Sequence, residues 1–265
     1  MRSAHLSDLH FGSHVCRERL QSLAEDILDH RPELLVVTGD VTDRGRISQF
    51  RWARDFLMSL SIPFICVPGN REICFSAVWE WMVPSLAMNR FRRFFGSPDK
   101  IFYRHEESNT VFFGLNSIHS FPSWPGRISR ATRLWLREQA ALYPGATKVL
   151  FLHHPVIPVI RASSFWAHAL SEAGELLNIC SQLDIRLILQ GHKHRSSIVE
   201  VRIPERNAKV VISCCGAPLM SRWDSAYHLI DISGVSIVVR KREFGSGRFS
   251  DAGMYEFSFD GVCPR

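Results

Sequence analysis

The amino-acid sequence predicts a layered α/β fold built on a largely parallel core. Three observations carry this. Short apolar runs recur and stop at polar residues in the same relative place, and helical stretches lie between them. At 265 residues, with 46 % hydrophobic and 22 % charged residues, the chain can also bury a sizeable core. That composition excludes disordered and collagen-like classes.

Taken in order, Ala4–Leu6 stops at Ser7-Asp8 and Leu34–Val37 stops at Thr38-Gly39-Asp40. Phe64–Val67 stops at Pro68-Gly69-Asn70, and Val149–Leu152 stops at His153-His154. Leu187–Leu189 stops at Gln190-Gly191-His192. Each reads as a buried strand followed by a loop. Helices are expected near Arg17–His30, Ile47–Leu60, Ser129–Leu142 and Phe165–Gln182. Beyond Ser196 the pattern changes to four strands, Ile198–Ile203, Lys209–Cys214, Ala226–Ile232 and Val235–Arg242, read as a C-terminal meander over residues 197–265. Nothing resembles a linker, so one domain spans 1–265.

The stretch Cys74–Phe95 stands apart. It carries Phe75, Trp79, Trp81, Met82, Phe91, Phe94 and Phe95, with Arg90, Arg92 and Arg93 among them, and Pro84 is expected to break it in two. Two readings stand. One is a helix packed on the sheet with its arginines snorkelling; the other, with bounds at 74–103, is a cap or membrane-facing wedge over a cleft.

Charge and cysteines bound the partners. The net charge of +6 admits anionic substrates or an acidic membrane surface. The Arg90–Arg93 cluster is too short and interrupted for a track along a nucleic-acid backbone. Seven cysteines with no C-x-x-C pair, and no signal-like segment at Met1–Gly12, are expected to be reduced thiols in the cytoplasm. No apolar run is long enough to span a bilayer.

The polar residues at the strand ends form a constellation: Asp8 and His10 in D-x-H, Asp40 and Asp43 in G-D-x-x-D, Asn70 in G-N-R-E, His153 in H-H-P, and His192 and His194 in G-H-x-H. Singly each is weak, since a D-x-H is more often a solvated turn. In order, each ending an apolar strand, they point to metal ligands. Carboxylate, amide and imidazole donors suit Mn²⁺, Fe or Zn²⁺, and the lack of thiolates argues against a structural zinc. In extended backbone, residues i and i+2 point the same way, so Asp8/His10 and His192/His194 are each expected to aim two donors into one cleft.

The motif set resembles the calcineurin-like metallophosphoesterase superfamily over residues 4 to about 195. The resemblance implies a four-layered α/β/β/α sandwich and two divalent ions, with Mn²⁺ the leading expectation. One ion would take Asp8, His10, Asp40 and His194; the other would take Asn70, His153 and His192 and share Asp40. A hydroxide bridging the ions would then attack phosphorus. Asp43, Arg44 and His154 would stand behind the ligands, and Trp79, Arg90 and Arg93 toward substrate.

One position departs from the pattern. Arg71 stands where most members have a histidine that protonates or stabilises the leaving oxygen. Arginine clamps a phosphoryl group but is a poor general acid, which favours a phosphate leaving group and a catalytic role for Arg71 on a phosphoanhydride. The G-N-R-[DE] variant is similar to UDP-2,3-diacylglucosamine pyrophosphatases of lipid A synthesis. This implies a nucleotide-linked lipid substrate and peripheral contact with the cytoplasmic face of the inner membrane. The alternatives are a cyclic-nucleotide or other small-molecule phosphodiesterase and a non-catalytic interaction module on the same fold.

Overall fold

The computed structural model describes residues 1–12, 15–73, 84–118, 126–158 and 169–259. Strands β1 (Arg2–Leu6), β2 (Leu34–Thr38) and β3 (Phe64–Val67) run parallel and alternate with helices α1 (Arg17–His30) and α2 (Ile47–Ser59). Helix α3 (Pro84–Phe95) leads into β4 (Lys100–His105) and β5 (Thr110–Leu115). Then come α4 (Arg130–Ala141), β6 (Thr147–Phe151), α5 (Ala173–Gln182) and β7 (Ile185–Gln190). The tail supplies β8 (Ser197–Ile203), β9 (Ala208–Cys214), β10 (Ala226–Ile232), β11 (Ser236–Gly245) and β12 (Arg248–Ser258).

These strands make two six-stranded sheets, ordered β12-β11-β10-β1-β2-β3 and β4-β5-β6-β7-β9-β8. Side-chain alternation explains how they stack. Leu34 and Val36 of β2 meet Val149 and Phe151 of β6 and Leu187 and Leu189 of β7 in a core between the sheets. Leu35 and Val37 point the other way, to Leu23 and Ile27 of α1 and Phe50 and Phe56 of α2. On the far side, Leu150 and Ile188 pack with Leu136 of α4 and Leu176 and Ile179 of α5. The order helix, sheet, sheet, helix is the four-layered sandwich expected. Strands buried on both faces read as unbroken apolar runs, which is why β1, β2, β6 and β7 were legible.

The tail differs from the single meander expected over 197–265. Strands β8 and β9 extend the second sheet, while β10–β12 extend the first, and β10 pairs antiparallel with β1. The expected helix Phe165–Gln182 is described only from residue 169, and its helical part is Ala173–Gln182.

Of the segment 74–103, residues 74–83, including Trp79, lie outside the described residues. In α3, Phe91 is fully buried, Phe94 stacks on Phe50 at 5.6 Å between centroids, and Phe95 packs against Phe64. Residues 100–103 belong to β4. Among the described residues, Cys16, Cys66, Cys180, Cys214 and Cys215 are unpaired, and no helix is long and apolar enough to cross a membrane.

Candidate metal centre

Every motif residue sits just past the carboxyl end of a parallel strand. Asp8 and His10 follow β1, Asp40 follows β2 and Asn70 follows β3 in the first sheet. His153 follows β6, and His192 and His194 follow β7, in the second. The two sheets thus present their loops to one shared crevice, where open α/β sheets hold ligands.

The loops converge by a route the extended reading did not foresee. Asp8, His10, Asp40, His192 and His194 all adopt positive φ, from 47° to 72°. Non-glycine residues rarely do so, and each costs of order 1–3 kcal/mol. Left-handed turns, not extended alternation, bring Asp8 beside His10 and carry His192 and His194 into the crevice. Two glycines allow the loops to touch. A Cβ at Gly69 would lie 2.2 Å from Asp40 Oδ1, and one at Gly191 would lie 1.8 Å from Ser7 Oγ.

One group comprises Asp8, His10, Asp40 and His194, whose donor atoms all lie within 4.8 Å of one another. His194 Nε2 is 3.1 Å from Asp8 Oδ1, and His10 Nε2 is 3.8 Å from both Asp8 Oδ1 and Asp40 Oδ2. A second group gathers around the other Asp40 oxygen. His153 Nε2 is 3.5 Å from Asp40 Oδ1 and 3.1 Å from Asn70 Oδ1, and His192 Nδ1 is 2.9 Å from Asn70 Oδ1 and 3.2 Å from His153 Nε2. The Asp40 carboxylate therefore faces one group with each oxygen.

The donors are oriented from behind. His153 Nδ1–H donates to the Thr38 carbonyl at 2.7 Å, leaving the Nε2 lone pair directed at Asn70 and Asp40. Ser7 Oγ and the His192 backbone N–H both donate to Asp8 Oδ2, at 2.6 and 2.9 Å. Glu72, not singled out from sequence, is fully buried and accepts four hydrogen bonds: from the backbone N–H groups of Asp40, Gly69 and Thr42, and from Thr42 Oγ1. It locks the loop after β2 to the loop after β3. The signal was its place two residues after Asn70 in G-N-R-E.

Electrostatics test whether a cation fits. Burial depresses His10 to about 3 and also lowers His153 and His192, so these imidazoles are neutral donors. Burial opposes charge on both Asp8 and His194, yet their pairing lowers Asp8 and raises His194. Burial raises Asp40 and Glu72, and each is raised further by a neighbouring carboxylate. Apart from His194 Nε2 at 3.1 Å, Asp8 Oδ1 is buried with no partner, and His10 Nε2 and His194 Nε2 face each other at 2.9 Å. Surplus carboxylate charge, an under-satisfied oxygen and opposed imidazole nitrogens are what a divalent ion would satisfy. The residues fit the metal.

The remaining sequence-derived residues take varied positions. Arg71 is half-buried, and its backbone N–H donates to Asp40 Oδ1 at 2.7 Å. Its positive charge opposes the rise of Asp40 and adds to the lowering of His10. His154 is fully buried, with Nδ1 2.9 Å from Ser117 Oγ and its ring 4.7 Å from that of His192. Asp43 pairs with the exposed Arg44 at 3.3 Å on the approach to α2. Arg90 and Arg93 lie on α3, where Arg93 is exposed beside Phe94.

Comparison with known proteins agrees with this geometry. The glycerophosphodiester phosphodiesterase GpdQ of Enterobacter lignolyticus is 25 % identical over 217 residues, covering 76 % of this chain and 74 % of that protein. A 3',5'-cyclic-nucleotide phosphodiesterase of Nostoc sp. is 29 % identical over 170 residues, covering 62 % and 58 %. The chain spans about half to three-quarters of the length of the curated relatives it matches. These relatives carry phosphodiesterase names, not that of a UDP-diacylglucosamine pyrophosphatase. Among solved structures, a dimetal phosphatase from Danio rerio shares the fold at a TM-score of 0.65 and 14 % identity, covering 95 % of this chain and 98 % of that one. The model of the calcineurin-like phosphoesterases matches residues 1–196, and the chain belongs to that family.

Proposed function

We propose that the protein hydrolyses phosphodiesters of small molecules with two divalent ions. The observation that carries this reading is the divergence of the Asp40 oxygens, Oδ2 toward Asp8, His10 and His194 and Oδ1 toward His153, with Asn70 and His192 beside it. Bound ions would activate water and neutralise phosphoryl oxygens. The chain's own residues do the rest. Asp40 sets the spacing of the two groups, and Glu72 holds the Asp40 and Asn70 loops in register. Arg71 offers a permanent positive charge to a phosphoryl oxygen. Hydrolysis forms one P–O bond from water and breaks the ester P–O bond, and the departing oxygen takes a proton. Arg71 cannot give that proton; over the whole reaction it is balanced by the proton that the attacking water loses.

The relatives' names support phosphodiesters over the phosphoanhydride reading. That second reading, hydrolysis of UDP-diacylglucosamine to UMP and the lipid phosphate, rests on Arg71. The buried Phe91 is unavailable to acyl chains. The test is a comparison of Mn²⁺-loaded protein on cyclic AMP, glycerophosphoethanolamine and UDP-diacylglucosamine. Cleavage of either diester with the anhydride spared supports the proposal. Cleavage of the UDP-lipid alone overturns it in favour of the second reading, and the ions themselves would be counted by elemental analysis.

A further inference from the structure

The loop between β9 and β10 carries an unexplained tryptophan at the metal centre. Trp223 is 44 % exposed, yet its ring lies 5.1 Å from that of His194 in an edge-on arrangement. Single exposed apolar residues are ordinary on protein surfaces. This one stands against a ligand of the candidate centre, beyond the family-matched residues 1–196 and beside the exposed Arg222.

The loop is held on both sides of the ring. The Asp224 backbone N–H donates to the His194 carbonyl at 3.2 Å, and the Ser196 N–H donates to Asp224 Oδ2 at 2.8 Å. Lys241 pairs with Asp224 Oδ1 at 3.1 Å. Arg19 donates to Ser225 Oγ at 2.5 Å, and Ser225 Oγ donates to the Met220 carbonyl at 2.6 Å. The backbone thus holds a large, partly exposed ring beside His194, with the rest of its face open to whatever enters the crevice. A rigid aromatic face next to a phosphoryl site can stack a planar group carried by the substrate.

We propose that Trp223 is a specificity residue that stacks the base of a nucleotide phosphodiester, making nucleotides and not glycerol diesters the substrate class. This rests on the phosphodiesterase reading above and deepens it. Stacking of a base on an aromatic side chain contributes about 1–3 kcal/mol, which is roughly 5- to 150-fold in affinity. The test compares wild type, Trp223→Ala and Trp223→Phe, all Mn²⁺-loaded, on cyclic AMP and glycerophosphoethanolamine. The ratio of the two kcat/KM values should fall at least about 5-fold in Trp223→Ala, through KM for cyclic AMP, and recover in Trp223→Phe. An unchanged ratio, or an equal loss on both substrates with lost metal, overturns the proposal. Binding separates this inference from the hydrolytic one. By calorimetry, wild type should bind 5'-AMP more tightly than ribose 5-phosphate, and Trp223→Ala should bind the two alike. If that preference holds while no diester is cleaved, the hydrolytic reading fails and the stacking site stands. If wild type shows no preference, the stacking site fails whatever is cleaved.

Discussion

Asp40 and Glu72 show how single residues decide the centre. Asp40→Ala removes the one side chain facing both groups, so the purified protein should retain less than one equivalent of metal by elemental analysis, with diester turnover lost. Glu72→Ala leaves buried N–H groups of Asp40, Gly69 and Thr42 without an acceptor. Each such donor costs about 1–3 kcal/mol, so urea denaturation should show a loss of about 3 kcal/mol or more. The milder Glu72→Gln should reduce metal affinity about 10- to 100-fold, as loss of an outer partner does. The convergence of the candidate ligands was legible because donors of fitting chemistry end apolar runs in a fixed order. Their left-handed backbone was not, since aspartate and histidine do not announce positive φ as glycine does. Glu72 escaped notice because it serves the Asp40, Gly69 and Thr42 groups behind the ligands, and only its place in G-N-R-E marked it.

Elements differ in how plainly they are written. Helices α1, α2 and α4 were legible because one face is apolar at helical spacing, and Ser129 caps α4 by accepting from the Thr132 N–H. Strands β4, β5 and β12 went unread. β4 and β12 are edge strands with much of their length exposed and lack an apolar run to mark them, whereas β5 is buried along its whole length and its apolar Val111–Phe113 was passed over. Helix α3 was read two ways, and its described part resolves in favour of packing for the three phenylalanines at its end. Phe91→Ala should therefore cost about 3–5 kcal/mol, measured by denaturant unfolding. The exposed Arg93→Ala should change stability by less than about 0.5 kcal/mol.

At the scale of the whole molecule, the centre joins two sheets, with Asp8, His10, Asp40 and Asn70 on one and His153, His192 and His194 on the other. A metal bound there would hold the halves of the sandwich together. Chelation should lower Tm, and at metal concentrations 100 times Kd the bound ion should add about 2.7 kcal/mol. Acid should weaken the fold through a separate pair between the layers. Burial keeps His5 well below its ordinary value and His228 at about 3, with His228 held by Ser196 and Ser213. Unfolded histidine takes up a proton near pH 6.5, so stability is full above that pH. It should fall by about 1.4 kcal/mol per pH unit per histidine below it, down to about pH 3 for His228. Urea titrations between pH 7 and 5 check the slope, which His228→Gln should reduce.

Strand β1 lies inside its sheet, flanked by β2 and by β10, so that Ser3 pairs with both Leu34 and Ile230. During synthesis at about 5–20 residues per second, the first strand therefore waits roughly 10 to 45 seconds for its second neighbour. Over that interval a nascent chain carries a bare hydrogen-bonding edge, the feature most open to mispairing between copies. Chaperones that shield β1 on the nascent chain should raise the yield of native protein for that reason.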